Sequence, residues 1–412
     1  MKTVPTALLT GVALFVQHVP AAEAVTESVV YSFQGGPDGD RPEAGLINVG
    51  GTLYGTTSAG GAYDHGTVFS YNSTTGVESV LYSFRGGTDG DGPEAGLISV
   101  NGELYGTTVH GGTDSVNCDE RCGTVFKVNL TTGTETVVYS FCSQTTCDDG
   151  AYPYAGLIDV GGTLHGTTSK GGQNFFGTVF QISPETGNEK TLHSFDVVDG
   201  AFPYGGLINV GGTLYGTTNG GSANNNDGGT VFSLDPTTGA ETVVYSFQGV
   251  PDGAYPYAGV VNVGGILYGT TYQGGAYGNS NGSGTVFELN PTTGTETVLY
   301  SFCRTGGFCA DGAGPYAGLI SPFKLNGRGT LYGTTAEGGV DACFGGDGCG
   351  TVFKLNPTTG AETVVYSFCS QAGCTDGNTP EAGLLNVKGT LYGTTLEGGA
   401  HNLGTVFKIT QR

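Results

Sequence analysis

The chain has 412 residues and a formal net charge of −22, from 36 acidic side chains against 14 Lys and Arg. With no basic stripe or tail, that balance argues against nucleic acid and anionic membrane surfaces as partners. The 78 glycines follow no Gly-X-Y period and sit among many β-branched and aromatic residues, which excludes a collagen-like or low-complexity chain and points to a turn-rich β protein.

In chain order, residues 1–24 ("MKTVPTALLTGVALFVQHVPAAEA") come first, with one early Lys, a short apolar run and a small-x-small end. They read as a secretory signal cleaved after Ala24, and the expected product is exported, either secreted or periplasmic. No later stretch reaches the roughly 18 uninterrupted apolar residues of a membrane span. Next comes "VTESVVYSF" (25–33), an extended run, then a turn at Asp38-Gly39, then Pro42-Glu43 and "AGLI". A Gly-Gly turn leads into "LYGTT", a longer loop into "GTVF", and a Pro/Gly-type turn into the next run ending in YSF.

These four phrases, with small variations, recur seven times in fixed order, with His165 and His193 each replacing the Tyr of one copy. Successive LYGTT copies lie 50 to 64 residues apart, and nearly all the variation sits in two connections. Each phrase has strand composition, the connections carry Asn-Gly, Gly-Gly and Pro…Gly turn chemistry, and no stretch has helical periodicity. The unit is therefore a four-stranded antiparallel meander. AGLI is expected innermost because small residues suit strands converging on an axis, with LYGTT and GTVF in the middle and the YSF run outermost. A meander cannot bury both faces alone, and radial stacking leaves only short, protected edges.

The expectation is an all-β, seven-bladed β-propeller over 25–412, with blades at about 43–84, 94–141, 154–195, 204–247, 257–302, 316–368 and 381–412. The last blade, ending in "GTVFKITQR", lacks a YSF strand, while the chain after residue 24 opens on a YSF strand with no GTVF before it. Residues 25–33 should therefore supply the outer strand of blade 7 and close the ring.

Together the phrases DGxxPxAGLI, LYGTT, GTVF and YSF resemble the GloVer tandem repeat of bacterial "choice-of-anchor" proteins, over essentially all of residues 25–412. The resemblance implies a repeat scaffold and a surface or released location. It implies no particular chemistry. No apolar tail, sorting motif or basic stop follows GTVFKITQR, and the reading favours release.

Ten cysteines fall into five close pairs: Cys118/Cys122, Cys142/Cys147, Cys303/Cys309, Cys343/Cys349 and Cys369/Cys374. In an exported chain these read as disulfides, each stapling its own enlarged loop; zinc is the weaker alternative, since no pair has CxxC form. Asn72, Asn129 and Asn281 head Asn-x-Ser/Thr sites, which matter only in a glycosylating host.

The long loops, and all the cysteines, belong to one face of such a ring, where binding is expected. Every outer-to-inner loop carries an Asp-Gly: Asp38, Asp89, Asp149, Asp199, Asp252, Asp311 and Asp376. A carboxylate ring for Ca²⁺ is one reading and a plain turn the preferred one; no other cofactor is indicated. The residue between Pro and Ala-Gly is Glu381, Glu43 and Glu94 in blades 7, 1 and 2, but Tyr154, Tyr204, Tyr257 and Tyr316 in blades 3 to 6. These form two contiguous arcs at the channel mouth. His401, His65 and His110 fall in the acidic sector, as do Arg41, Arg85 and Arg121 in neighbouring connections.

Carboxylates facing tyrosines suit sugar binding, with rings against pyranose faces and charged groups on hydroxyls or uronates. The same Glu, His and Arg side chains are the candidates if the chain is a polysaccharide lyase or glycoside hydrolase. The alternatives to both are two ancestral repeat subtypes with solvated loop histidines, and a structural envelope protein. His165 and His193 read as packing substitutes for Tyr. The leading expectation is a monomeric, exported binding module for an extracellular glycan or cell-surface protein, rather than an enzyme.

Overall fold

In the computed structural model, residues 25–113, 118, 121–144, 146–222, 227–304, 309–323, 329–340 and 348–411 are described. They form seven four-stranded antiparallel sheets arranged as a β-propeller, plus a two-stranded ribbon in the loops of blade 5. The proposed signal segment lies outside the described residues. Among the described residues, no helix is long and apolar enough to cross a membrane.

Blade 1 shows the common plan: β1 (Ile47–Val49) innermost, then β2 (Thr52–Thr57), β3 (Thr67–Asn72) and β4 (Val77–Ser83) outermost. Gly50 and Gly51, at φ 61° and 95°, make the tight β1–β2 turn that only residues tolerant of positive φ allow. Asn72 Oδ1 accepts from the Thr74 and Thr75 amides and holds the β3–β4 turn. The inner position of the AGLI segment is as expected, but the paired strand starts only at its last residue. Ala44, Gly45 and Leu46 run ahead of it because the Ala44 carbonyl accepts from Thr394 Oγ1 of blade 7 instead of from its own sheet. The equivalent bond recurs at every junction, for example from Thr56 to the Ala95 carbonyl.

Packing between blades rests on one aromatic contact. Gly55 of LYGTT lies opposite Phe69 of GTVF, and a Cβ on Gly55 would come 2.7 Å from the Phe69 ring. The ring therefore lies flat across the glycine. Its free edge then meets the YSF phenylalanine of the preceding blade: Phe33 and Phe69 stand 5.1 Å apart edge to face, both fully buried. The same pair joins every other junction, from Phe84–Phe126 through to Phe368–Phe407. A bulge in each outer strand, between Val68 and Phe69's partners in blade 1, turns the YSF end toward the neighbour.

The ring closes as expected. Val25–Ser32 pairs antiparallel with Thr405–Gln411, placing Val25 opposite Gln411 and Ser32 opposite Thr405. Four disulfides are local: Cys118–Cys122, Cys142–Cys147, Cys303–Cys309 and Cys369–Cys374. Cys343 lies outside the described residues.

Each junction also carries a polar triad, built on a Tyr at six junctions and on His193 at the one between blades 3 and 4. The YSF Tyr hydroxyl donates to the Asp of the following loop, as in Tyr31–Asp38 at 2.6 Å and Tyr366–Asp376 at 2.7 Å, and the Asp also accepts backbone amides. A Glu on the next blade's outer strand faces that Asp. Burial raises these Glu carboxyls, and the facing Asp adds to it: Glu27, Glu78, Glu189 and Glu362 to about 7, Glu135 and Glu296 to about 8.

Two expected outcomes follow from this packing. Phe33→Ala should cost about 3–5 kcal/mol, as for other buried Phe truncations, and deletion of 25–33 should abolish the cooperative thermal transition. A deletion product that melts like the parent would overturn ring closure by this strand. For the triads, folded carboxyl pKa values above the unfolded 4.5 mean that the folded ring holds extra protons between about pH 5 and 8. Their stabilising contribution is complete below pH 4.5 and is lost as pH rises through 7 to 8. The melting temperature should fall from pH 5.5 to 8.5, and Glu135→Gln should flatten that fall; a profile unchanged by the variant would contradict it.

Candidate functional site

The channel mouth is built by the chain segment that crosses from each outer strand to the next inner strand. In blade 1, Asp38 anchors the start, a bridge between Asp40 and Ala59 ties the segment to the β2–β3 loop, and Arg41 takes φ 57°. Pro42 then packs on Gly404 of the preceding blade, which fixes where Glu43 leaves the backbone. The following glycines crowd together: a Cβ on Gly156 would meet the Gly96 carbonyl at 2.9 Å. The glycines form the narrow wall of the channel, with the variable Glu/Tyr position at its rim.

Glu43, Glu94, Glu381, Tyr154, Tyr204, Tyr257 and Tyr316 all line one axial cavity of about 580 Å³. The tyrosines form an unbroken row: Tyr154–Tyr204 edge to face at 5.1 Å, Tyr204–Tyr257 tilted at 5.5 Å, Tyr257–Tyr316 stacked at 4.2 Å. Opposite them the three carboxyls are half-buried, and the charge of Glu43 raises the other two. Glu94 is pushed up to about 8, chiefly by burial and then by Glu43 and Glu381. Glu381 is pushed up to about 7 by burial, Glu43 and Glu397. Burial also raises Glu43, but the Ser58 hydroxyl, 2.7 Å from Oε1, and the Arg41 charge hold it back. Burial pushes Tyr154 up to about 12, and raises Tyr204 and Tyr316. Near neutral pH this rim therefore combines carboxylate acceptors, protonated carboxyl donors and neutral phenols.

A second cavity of about 790 Å³ lies between blades 6 and 7 and shares Tyr316 and Glu381 with the axial one. Among the described residues, Tyr272, Glu337, Gln371, Asn378, Glu397 and Asn402 line it, and Cys369–Cys374 closes one wall. Tyr272 packs edge to face on Tyr257 and Tyr316, and its hydroxyl donates to Glu337 at 2.9 Å. Tyr272, Ser58, Glu337 and Glu397 were not singled out from the sequence. A signal was present: the two residues after LYGTT vary from blade to blade, just as the Glu/Tyr position does.

The histidines do not join this rim as a cluster. His65 Nδ1 lies 3.0 Å from Asp91 Oδ1 in the loops between blades 1 and 2, and His401 is exposed. His110 comes nearest, flanking Gly92 together with Glu94 and packing against Tyr152 at 5.6 Å. Arg41 sits beside Glu43; Arg85 is exposed and lies over the Tyr63 ring at 5.7 Å; Arg121 lies over Gly87. His165 is buried in a middle strand, its Nδ1 3.1 Å from the Thr163 carbonyl, and burial lowers its pKa.

Fold and rim together define a repeat β-propeller with one asymmetric polar cavity on its axis. The chain belongs to the Gloeobacter/Verrucomicrobia repeat family, whose model matches residues 19–147, 116–281 and 276–412. No curated protein matches it. Among solved structures it is similar to an oligogalacturonate lyase in complex with manganese, at 12% identity and TM-score 0.56, over 96% of this chain and 97% of that one. It is similar to the extracellular domain of a B. thetaiotaomicron protein described as a hybrid two component system, at 11% identity and TM-score 0.57, covering 92% of this chain and 39% of that one. It is also similar to a Bacteroides uniformis protein described as a 6-phosphogluconolactonase, at 16% identity and TM-score 0.51, over 88% and 91%. At these identities the likeness is one of fold.

The geometry sets one expectation for the rim itself. Ser58→Ala removes the hydrogen bond that favours ionised Glu43, so the Glu43 carboxyl should titrate at higher pH than in the parent. Carboxyl-carbon NMR titration reads this directly, and an unmoved titration would contradict the contact.

Proposed function

We propose that the chain is an exported binding module that takes a neutral or amino-bearing glycan at the channel mouth. The observation that carries this reading is the row of four tyrosines facing three carboxyls across a cavity continuous with the blade 6–7 groove. Aromatic faces suit the apolar faces of sugar rings, and the mixed carboxyl and carboxylate rim supplies donors and acceptors for hydroxyls. A uronate ligand is disfavoured, because the net charge of −22 and the ionised part of the acidic rim would repel it. Local disulfides support a location outside the cytoplasm.

One observation favours catalysis as a second reading. Glu94 is pushed up to about 8 by burial and its acidic neighbours, whereas Glu43, also raised by burial, is held back by Ser58 and Arg41, an asymmetry of the kind that distinguishes a general acid from its partner carboxyl.

Purified protein incubated with neutral, amino-sugar and uronate polysaccharides separates the two readings. Retention without new reducing or unsaturated ends is expected, weakened about 5- to 10-fold by Tyr204→Ala or Tyr257→Ala, consistent with about 0.5–1.5 kcal/mol for an aromatic face. Product release abolished by Glu94→Gln would instead establish the enzyme. No retention on any polymer would overturn both readings.

A further inference from the structure

Six of the seven blade junctions carry a Tyr–Asp–Glu triad, and the junction between blades 3 and 4 does not. There His193 stands in the tyrosine's place. Its Nε2 lies 2.9 Å from Asp199 Oδ2, and Glu241 of blade 4 completes the group. One ligand atom each from His193, Asp199 and Glu241 lies within 4.8 Å of the other two. Glu241 Oε1 is buried with no hydrogen-bond partner beside a second carboxylate, as are the equivalent Glu oxygens at five Tyr junctions; what sets this junction apart is the imidazole.

We propose that His193, Asp199 and Glu241 form a binding site for a single divalent transition-metal ion of the zinc class. An imidazole with two carboxylates is a donor set for such ions, whereas Ca²⁺ and Mg²⁺ take oxygen ligands. Three protein ligands at about 2.0–2.2 Å around one ion need only a small closure of the present spacing. The ion supplies what Glu241 Oε1 lacks and replaces the contact between His193 and Asp199. The His193 and Asp199 side chains are 19% and 22% exposed, so the ion has a path in, and water fills its remaining positions. Asp199 is already oriented by the Asp196 amide at 2.7 Å on its other oxygen, and the Asp196 carboxylate adds negative charge nearby. At the other junctions a phenol replaces the imidazole, which leaves two carboxylates and no nitrogen donor.

This asymmetry provides its own control, because His193→Tyr restores the residue that the other six junctions carry and should fold normally. Oxidised, EDTA-treated protein titrated calorimetrically with Zn²⁺ is expected to take up about one equivalent. His193→Tyr and Glu241→Gln should each weaken that uptake by at least about 10- to 100-fold, with circular dichroism unchanged and the zinc-dependent rise in melting temperature lost. Absence of stoichiometric uptake by the parent would overturn the site. So would uptake that survives His193→Tyr, whether as one equivalent or as six or seven, because the ion would then sit at cysteines or at the carboxylate pairs common to all junctions.

Discussion

Everything in this ring hangs on a phenylalanine lying flat over a glycine. The LYGTT glycine has no room for a Cβ because the GTVF ring of the facing strand occupies that volume, and the ring so placed offers its edge to the YSF phenylalanine of the preceding blade. One contact thus joins strand to strand within a blade and blade to blade around the axis. Because each blade needs a phenylalanine from its predecessor, the series has no natural end. Blade 1 would leave Phe69 uncovered unless blade 7 owned a YSF strand, and only the first described segment of the chain can supply it. Closure is a requirement of the repeat itself.

The same contact explains where the chain is free to vary. Positions that touch a neighbouring blade, namely the glycine, the phenylalanines and the threonine that bonds the next Ala or Gly carbonyl, keep their identity or close to it. Positions that point onto the axis or into the loop face make neighbour contacts that differ from junction to junction, such as the Tyr257–Tyr316 stack. The Glu/Tyr column and the column after LYGTT are of that kind, and together they make nearly all the chemistry of the rim. Function in a repeat fold accumulates where the ring closure makes no demand.

Strand order, blade count and the closing strand were legible because each follows from a phrase that recurs in register, and the split into acidic and aromatic arcs was legible because ring order makes blades 7, 1 and 2 adjacent. The paired inner strand was misplaced by a few residues because Ala44 bonds a side chain of another blade, and no local pattern records that. Outer-strand bulges left no mark either, having no glycine of their own. The triads were hidden for a different reason. Glu78 alternates with apolar residues as any exposed strand position does, and Asp38 reads as a turn; only the contact between successive blades sets them against each other. His65 and His401 show the converse, since sharing a sector with the rim does not bring a loop side chain into it.

Charge sets the rim apart from an ordinary polar surface. A chain at −22 already discourages anions, and the ring concentrates carboxyls further by pairing Asp with Glu at its junctions and gathering three Glu at its mouth. Burial cannot be relieved by cations from a chain with 14 Lys and Arg, so the carboxyls hold protons instead. Protonated acids beside ionised ones make the mouth amphoteric in hydrogen bonding while its field stays negative. On the binding reading proposed above, such a surface would take a polar neutral ligand or an amine in preference to a uronate. On that reading the ligand class comes from the residues at the rim, on a scaffold that by itself sets none.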